Sequence, residues 1–435
     1  MADFQSFRGL RPNTDKLNLS DVLAPPYDVI KGAMRAELMA RSPYNIVRVE
    51  LAAPYGEPAS DEQYEQCAAL LKQWREAEIY VRDDPAFYVY EQEFVVPGLG
   101  ERKRRRGILG ALALEEFGEG VKPHEHTLSG PKEDRLKLLR AVRANTSPIF
   151  GLFDDDDGWA AILLENVCLS APLCQATDSE NITHRLWRVT DDETVNAIEA
   201  ALENEPIFIA DGHHRYETAL NYRNEQMLKA QAENREWTGA EAANRVLMMC
   251  VSTGDPGLVV LPTHRVVKAE ASKIAALQAA LAALFEMEAI TGEEELMRRL
   301  GEKDEIDTPR MGMHLEGQSF LLRLKAGDAH RKLMDAGHGD AYNALDVTIL
   351  HTLILEGQLG IGAQELAAGG HVSYTIDARD ALSKVDGGEY QAAFLLRSTP
   401  VEQVQEVASQ GDKMPQKSTY FYPKLVTGLV LRPLD

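Results

Sequence analysis

The sequence predicts an α+β (mixed α/β) protein, on three observations. Strand-like and helix-like runs alternate irregularly, which argues against a doubly wound parallel sheet. Several strand pairs are joined by short turns of the kind that antiparallel neighbours use, as in AFYVYEQEFVV and RRGILGALALEEF around PGLGERKR. The length of 435 residues exceeds what one simple core organises, so two or three domains are expected.

The first 60 residues are rich in proline and turn signals (GLRPNTD, LAPPYDVI, RSPYNIVRVEL), and Pro25–Pro26 enforces extended backbone. NIVRVEL alternates as a strand does. Residues 60–79 have helical spacing, with Asp61 as the N-cap. In the hairpin that follows, the basic run Arg102–Arg106 sits in and just after the turn and reads as a solvated tip. VKPHEHTLSGPKED leads into the amphipathic helix RLKLLRAVRANT and then into SPIFGLF. Asp154–Asp157 lack the spacing and the distal Glu of a calcium loop and read as a solvated turn.

THRLWRVT is strand-like, DDETVNAIEAALEN is a capped helix, and PIFIADGHHRYETALNYRNEQML is a buried strand, a turn and a helix. A charged helical tract covers 224–244. RVLMMCVST and GLVVLPTHRVVK are apolar strands, SKIAALQAALAALFEME and EEELMRRLGEK helices, and RMGMHLEGQSFLLRLK a hairpin. NALDVTILHTLILEGQLGI is a helix closed by glycine, EYQAAFLLRSTPVEQVQEVASQG is strand, loop and helix, and DKMPQKSTYFYPKLVTGLVLRPL is a loop followed by a strand. The expected division is an N-terminal α+β region over 1–235 and a C-terminal α+β domain over 236–435.

Charge narrows the function. With 46 basic and 68 acidic residues the formal net charge is −22, a surface that repels nucleic-acid phosphates and anionic membranes. A small-molecule substrate is expected instead, with no nucleic-acid or membrane partner; a homodimer is compatible with the sequence. The four cysteines, Cys67, Cys168, Cys174 and Cys250, form no CxxC pair and no disulfide framework. Together with the lack of an apolar signal core or bilayer-length apolar stretch, they point to the cytoplasm.

Two stretches concentrate chemistry. In IFIADGHHRYETAL, Gly212 follows an apolar strand and opens a helix, where glycine permits a positive φ and the helix start favours an anion. Arg215 can grip phosphate oxygens bidentately, His213 and His214 can donate to phosphate or move protons, and Asp211 can accept a proton from a hydroxyl or hold Mg²⁺. The plainer alternative is that Asp211 caps the helix. In KPHEHTLSGPKEDR, His124 and His126 form an HxH pair able to bind metal, Glu125 is a candidate general base, and Lys132 and Arg135 can reach an anionic substrate. Its alternative is a polar loop in which Thr127 or Ser129 caps the next helix. Weaker signals come from rigid Pro/Tyr segments, where Asp28, Lys417, Ser418 and Thr419 can line a pocket. His264, His351 and His371 stand singly and read as structural.

Six separated motifs, FRGLRP, LAPPYDVI, NIVRVEL, HEHTLSGPKEDRLKLLRAVRANTSPIFGLF, IADGHHRYETAL and MPQKSTYFYPKLVTGL, occur in the order found in the bacterial and archaeal family known as domain of unknown function 1015, which the chain resembles. About residues 110–225 also resemble the ParB/sulfiredoxin superfamily, its free-serine kinase branch most of all: HE, an Arg/Leu helix, a PI strand, then DGHHR entering a helix. That resemblance implies a ParB/sulfiredoxin-like nucleotide-binding core with an additional C-terminal α+β domain. It implies nucleotide phosphate on Gly212, His213, His214 and Arg215, and Asp211 and Glu125 as catalytic acids. The sulfiredoxin cysteine position is His213 here, so that chemistry does not carry over.

The function expected is a kinase using ATP or ADP with Mg²⁺ to phosphorylate a small hydroxylated metabolite such as free serine. Lys132, Arg135, Lys417 and Ser418 would bind substrate. The alternatives are a metal-dependent hydrolase using the histidines, with His124 and His126 as first candidates for metal, or a non-catalytic nucleotide or metabolite binder.

Overall fold

A computed structural model shows a mixed α/β chain that divides into two compact units, one of Met1–Pro123, Thr127–Val259 and Pro423–Asp435, the other of His124–His126 and Val260–Tyr422. The structure describes residues 3–118, 120–127, 129–203, 205–302, 308–326, 334 and 337–435. The expected division at 235/236 therefore falls inside unit 1, and the last segment of the chain returns to unit 1. Among the described residues no helix is long and apolar enough to cross a membrane.

Nine strands among the described residues form the mixed sheet of unit 1: β1 (Phe4–Gln5), β2 (Phe87–Val95), β3 (Arg102–Ala113), β4 (Val121–Lys122), β5 (Ile149–Phe153), β6 (Cys174–Thr177), β7 (Thr183–Val189), β8 (Ile207–Asp211) and β9 (Arg245–Ser252). Their order is β4-β8-β5-β9-β3-β2-β7-β6, with β1 beside β3. β8 is parallel to β4 and antiparallel to β5, and β9 is parallel to β5. Lying between β4 and β5, β8 is apolar throughout until Asp211, because a strand inside a covered sheet has no solvent face for polar residues. Ile207 and Ile209 pack with Ile149, Tyr216, Ala219 and Leu220 in one core. The register shifts between Ile209 and Asp211, which still pairs with Phe150, and such bulges re-aim a strand's last side chain.

Local patterning failed at several places, among them Phe285–Glu288, expected as the end of a helix and found in a strand, Phe285–Ile290. NIVRVEL is not a strand: Val47–Glu50 is a helical turn, here α1. Asn45 explains it. Its buried amide donates to the carbonyls of Asp21 and Leu23 and its Oδ1 accepts from Val47 N, so the side chain fixes the turn and overrides β-branched propensity. The helix Asp61–Glu76 (α2) is capped by Ser60 rather than Asp61, in a capping box with Gln63. The basic run is no hairpin tip. It forms the first residues of β3, where Arg104 and Arg106 lie opposite Glu93 and Glu91 and pair with them at 3.2 and 2.7 Å. Strand alternation turns Arg105 to the other face, where it is fully buried and stacks 4.6 Å from the Phe150 ring centroid.

The remaining helices of unit 1 that bear on the site are α3 (Ser129–Val142) and α4 (His213–Ala232). The expected cap at Ser129 lies outside the described side chains, and Thr127 donates instead to Glu217 on α4 at 2.7 Å.

Unit 2 carries a six-stranded antiparallel sheet of described residues: β10 (His264–Val267), β11 (Phe285–Ile290), β12 (Arg310–Leu315), β13 (Gln318–Leu324), β14 (Val372–Thr375) and β15 (Ala392–Leu395), ordered β11-β13-β12-β15-β10-β14. Alternate residues feed two cores, Val267, Ala392 and Phe394 on one face and Val266, Ala393 and Leu395 on the other. The predicted helix over NALDVTILHTLILEG is present as α5 (Asp346–Ile349) followed by a π-helical stretch, Leu350–Glu356.

Two histidines of unit 2 are kept neutral. His264 is buried with Nδ1 accepting from Leu396 N at 3.1 Å, and burial, with Arg265 beside it, pushes its pKa down to about 4. The same two causes push His351 down to about 3. Both lie below the unfolded value, so their contribution is complete above pH ~6.5 and is lost as pH falls toward the folded values. Each should cost roughly 2–3 kcal/mol by about pH 4.5. All four tryptophans belong to unit 1. The urea transition seen by circular dichroism but silent in tryptophan fluorescence should therefore move to lower urea between pH 7 and 4.5, and His351→Gln should flatten that trend. A midpoint independent of pH would contradict the account.

Candidate functional site

The strand β8 delivers Asp211 to the point where α4 begins. Gly212 is the N-cap residue, with φ +96°, a conformation that disfavours any side chain. The N-cap position thus falls on Gly212 and not on Asp211. A Cβ at position 212 would also lie 3.0 Å from the Arg215 guanidinium, which folds back over the turn.

That guanidinium is held by two acceptors. Nη2 donates to Asp211 Oδ2 at 2.7 Å and Nη1 donates to the Pro148 carbonyl. The other carboxylate oxygen, Oδ1, accepts from Lys424 Nζ at 2.6 Å. All three side chains are mostly buried. The carboxylate lies between two cations at the start of a 20-residue helix, the positive end of its dipole. Lys424 was not singled out from sequence, although YPKL lies in one of the rigid segments noted. Its placement comes from the sheet: Gln92 Nε2 donates to the Lys424 carbonyl at 3.0 Å, and buried Arg105 donates to both the Gln92 side chain and the Pro423 carbonyl.

The other expected residues of unit 1 are placed as follows. His213 is buried and His214 half-buried. Lys132 donates to Glu217 at 2.6 Å. Arg135 is buried, with its guanidinium on the Glu50 and Asp134 carboxylates and 4.3 Å from the Tyr27 ring centroid. Burial raises the pKa of Glu50, whose carboxylate also accepts from Thr146. Glu50, Arg135, Thr146, Arg215 and Thr218 all line one small cavity of about 50 Å³.

His124, Glu125, His126, Lys417 and Ser418 fall in unit 2. His124 is buried, its Nε2 3.1 Å from Thr419 Oγ1, whereas His126 is exposed. Glu125 is half-buried; it forms a parallel bridge with Met414, and its Oε1 accepts from Lys417 N at 3.4 Å. Ser418 is buried, donates to the Pro415 carbonyl and accepts at its own carbonyl from Thr399 at 3.1 Å.

Among the described residues, no group of three or more His, Cys, Asp or Glu side chains could hold a metal ion. Nor does Asp211 fit a protein-held Mg²⁺, because each of its oxygens already faces a cation.

Comparison with solved structures finds a conserved hypothetical protein from Pyrococcus furiosus (16% identity, TM-score 0.33, covering 72% of this chain and 94% of that one). It also finds a free serine kinase in complex with AMP (14%, 0.35, 71% and 89%) and SbnI from Staphylococcus aureus with a C-terminal truncation (10%, 0.35, 75% and 87%). At these TM-scores the likeness carries no argument about fold or activity. No curated protein matches the sequence significantly. The family described as "Protein of unknown function (DUF1015)" matches over residues 4–348, well over half of the chain, and the chain belongs to that family.

Proposed function

We propose that the chain binds a nucleotide, ATP or ADP, through its phosphates at the start of α4, and transfers a phosphoryl group to the hydroxyl of a small metabolite. Free serine is the acceptor that the ParB/sulfiredoxin resemblance implies. One observation carries the reading: Asp211 is held between Arg215 and Lys424 at a glycine-opened helix start, which brings two cations to the positive end of a helix in a strongly acidic protein.

The roles follow from the donors. Lys424 places its ammonium on Asp211 Oδ1, where its charge suits phosphate oxygens. Gly212 lets phosphate approach the backbone at the helix start. Arg215 adds its charge and orients Asp211. In the transfer, the bond from the terminal phosphorus to its bridging oxygen breaks, a bond to the acceptor oxygen forms, and the hydroxyl proton passes to a carboxylate, for which Asp211 and Glu125 are assigned. Phosphoryl transfer asks mainly for such positioning and charge stabilisation. Lys132, Arg135, Lys417 and Ser418 keep their assignment to the substrate, Arg135 acting from a buried position.

Incubation with ATP or ADP, Mg²⁺ and serine, followed by phosphorus NMR, should show phosphoserine; nucleotide binding without turnover would leave only a binder. Lys424→Ala and Arg215→Ala should each weaken nucleotide binding by about 1–3 kcal/mol in calorimetry, the range for losing a charge-assisted partner. Unchanged affinity in both would remove the site. Asp211→Asn should keep binding and lower turnover. Gly212→Ala should weaken binding through the displaced guanidinium, and a Gly212→Ala protein with wild-type affinity would show that the left-handed turn is irrelevant to the ligand.

A further inference from the structure

We propose that Arg265 is a positioning residue for Glu125. The inference rests on the reading of Glu125 as a carboxylate that accepts the acceptor's proton, and it adds a residue that no motif pointed to.

Arg265 lies on β10, opposite Tyr374 of β14, and is fully buried. Its guanidinium sits 5.4 Å from the Tyr374 ring centroid and donates to three backbone carbonyls, those of Thr263, Gln416 (3.3 Å) and Lys417 (2.9 Å). A buried cation is costly unless a carboxylate answers it. Burial lowers the Arg265 pKa to about 10, with Tyr374 and Glu125 acting in the opposite direction.

The turn that Arg265 grips is itself unusual. Lys417 has φ +58°, a left-handed conformation that is uncommon for a residue with a side chain and persists only where its surroundings enforce it. The same turn is tied at Ser418, whose carbonyl accepts from Thr399 Oγ1 and whose hydroxyl donates to Pro415. Held this way, Lys417 presents its backbone N–H to Glu125 Oε1, while Met414 N donates to the His124 carbonyl at 2.7 Å and fixes the backbone beside Glu125. Arg265 thus acts on Glu125 by holding the turn whose amide orients it.

The test uses the full chain labelled with ¹⁵N-lysine, in which the Lys417 amide resonance is assigned by its loss in Lys417→Arg. Glu125→Gln should move that resonance, because its acceptor changes from carboxylate to amide. Arg265→Met should move it in the same direction, and Arg265→Lys, a cation without the fork, by less. In the phosphorylation assay, Arg265→Met should lower kcat about tenfold with nucleotide KM unchanged, and less than about twofold further in a Glu125→Gln background, since residues acting as a unit are not additive. An unmoved Lys417 amide in folded Arg265→Met, or fully additive losses, overturns the proposal. Should Arg265→Met fail to fold, Thr399→Val loosens the same turn without touching a charge, and an unmoved resonance there overturns it equally. A wild-type protein without transfer activity speaks against the proposed reaction, while the resonance still decides the part played by Arg265.

Discussion

Asp211 ends a strand that has no polar residue before it, and a carboxylate in that position needs partners. Arg215 serves one helical turn onward and Lys424 from 213 residues away. Removing either would leave a largely buried charge half-answered, which is far worse than never having placed it there. The start of α4, the return of the C-terminal segment to unit 1 and the placing of Lys424 all meet in this ion triplet. Gly212 allows it to form by letting the Arg215 guanidinium lie over the turn, where any Cβ would intrude.

The sheet underneath supplies the rigidity. Gln92 and Arg105, on neighbouring strands and both inaccessible to solvent, hold the backbone at Pro423 and Lys424. Burial lowers the pKa of Arg105 to about 10, the mark of a cation kept in an apolar place for its hydrogen bonds rather than for exposure to a ligand. Unit 2 repeats the device, with Arg265 likewise lowered to about 10 by burial and likewise holding carbonyls of a turn. In both units a guanidinium in the interior holds backbone carbonyls of an irregular segment that carries polar residues.

Much of the fold was legible because the signals were local. The hairpin of β2 and β3, the strand IFIAD, the helix behind HHRYETAL and the helix-rich middle of unit 2 follow from hydrophobic period and turn chemistry within about twenty residues. Where NIVRVEL and the basic run were misread, a long-range partner decided. Asn45 turned NIVRVEL into a helical turn by bonding carbonyls 22 and 24 residues earlier, and Arg105 was taken from the solvated run by the C-terminal segment it grips. The division of the chain was misjudged for the same reason: no local signal announces that Pro423–Asp435 belongs with unit 1, or that His124–His126 belongs with unit 2.

The sequence by itself determined the turn at Asp211–Gly212, because a left-handed residue between a buried strand and a helix is a matter of neighbouring backbone atoms alone. It also determined the family and the acidic surface. Only the tertiary structure decided what Asp211 and Arg215 touch, that Lys424 joins them, and that Arg265 stands behind the turn beside Glu125. Those contacts join residues far apart in the chain, and a side chain's charge says nothing of its partner until the fold brings one within about 3 Å.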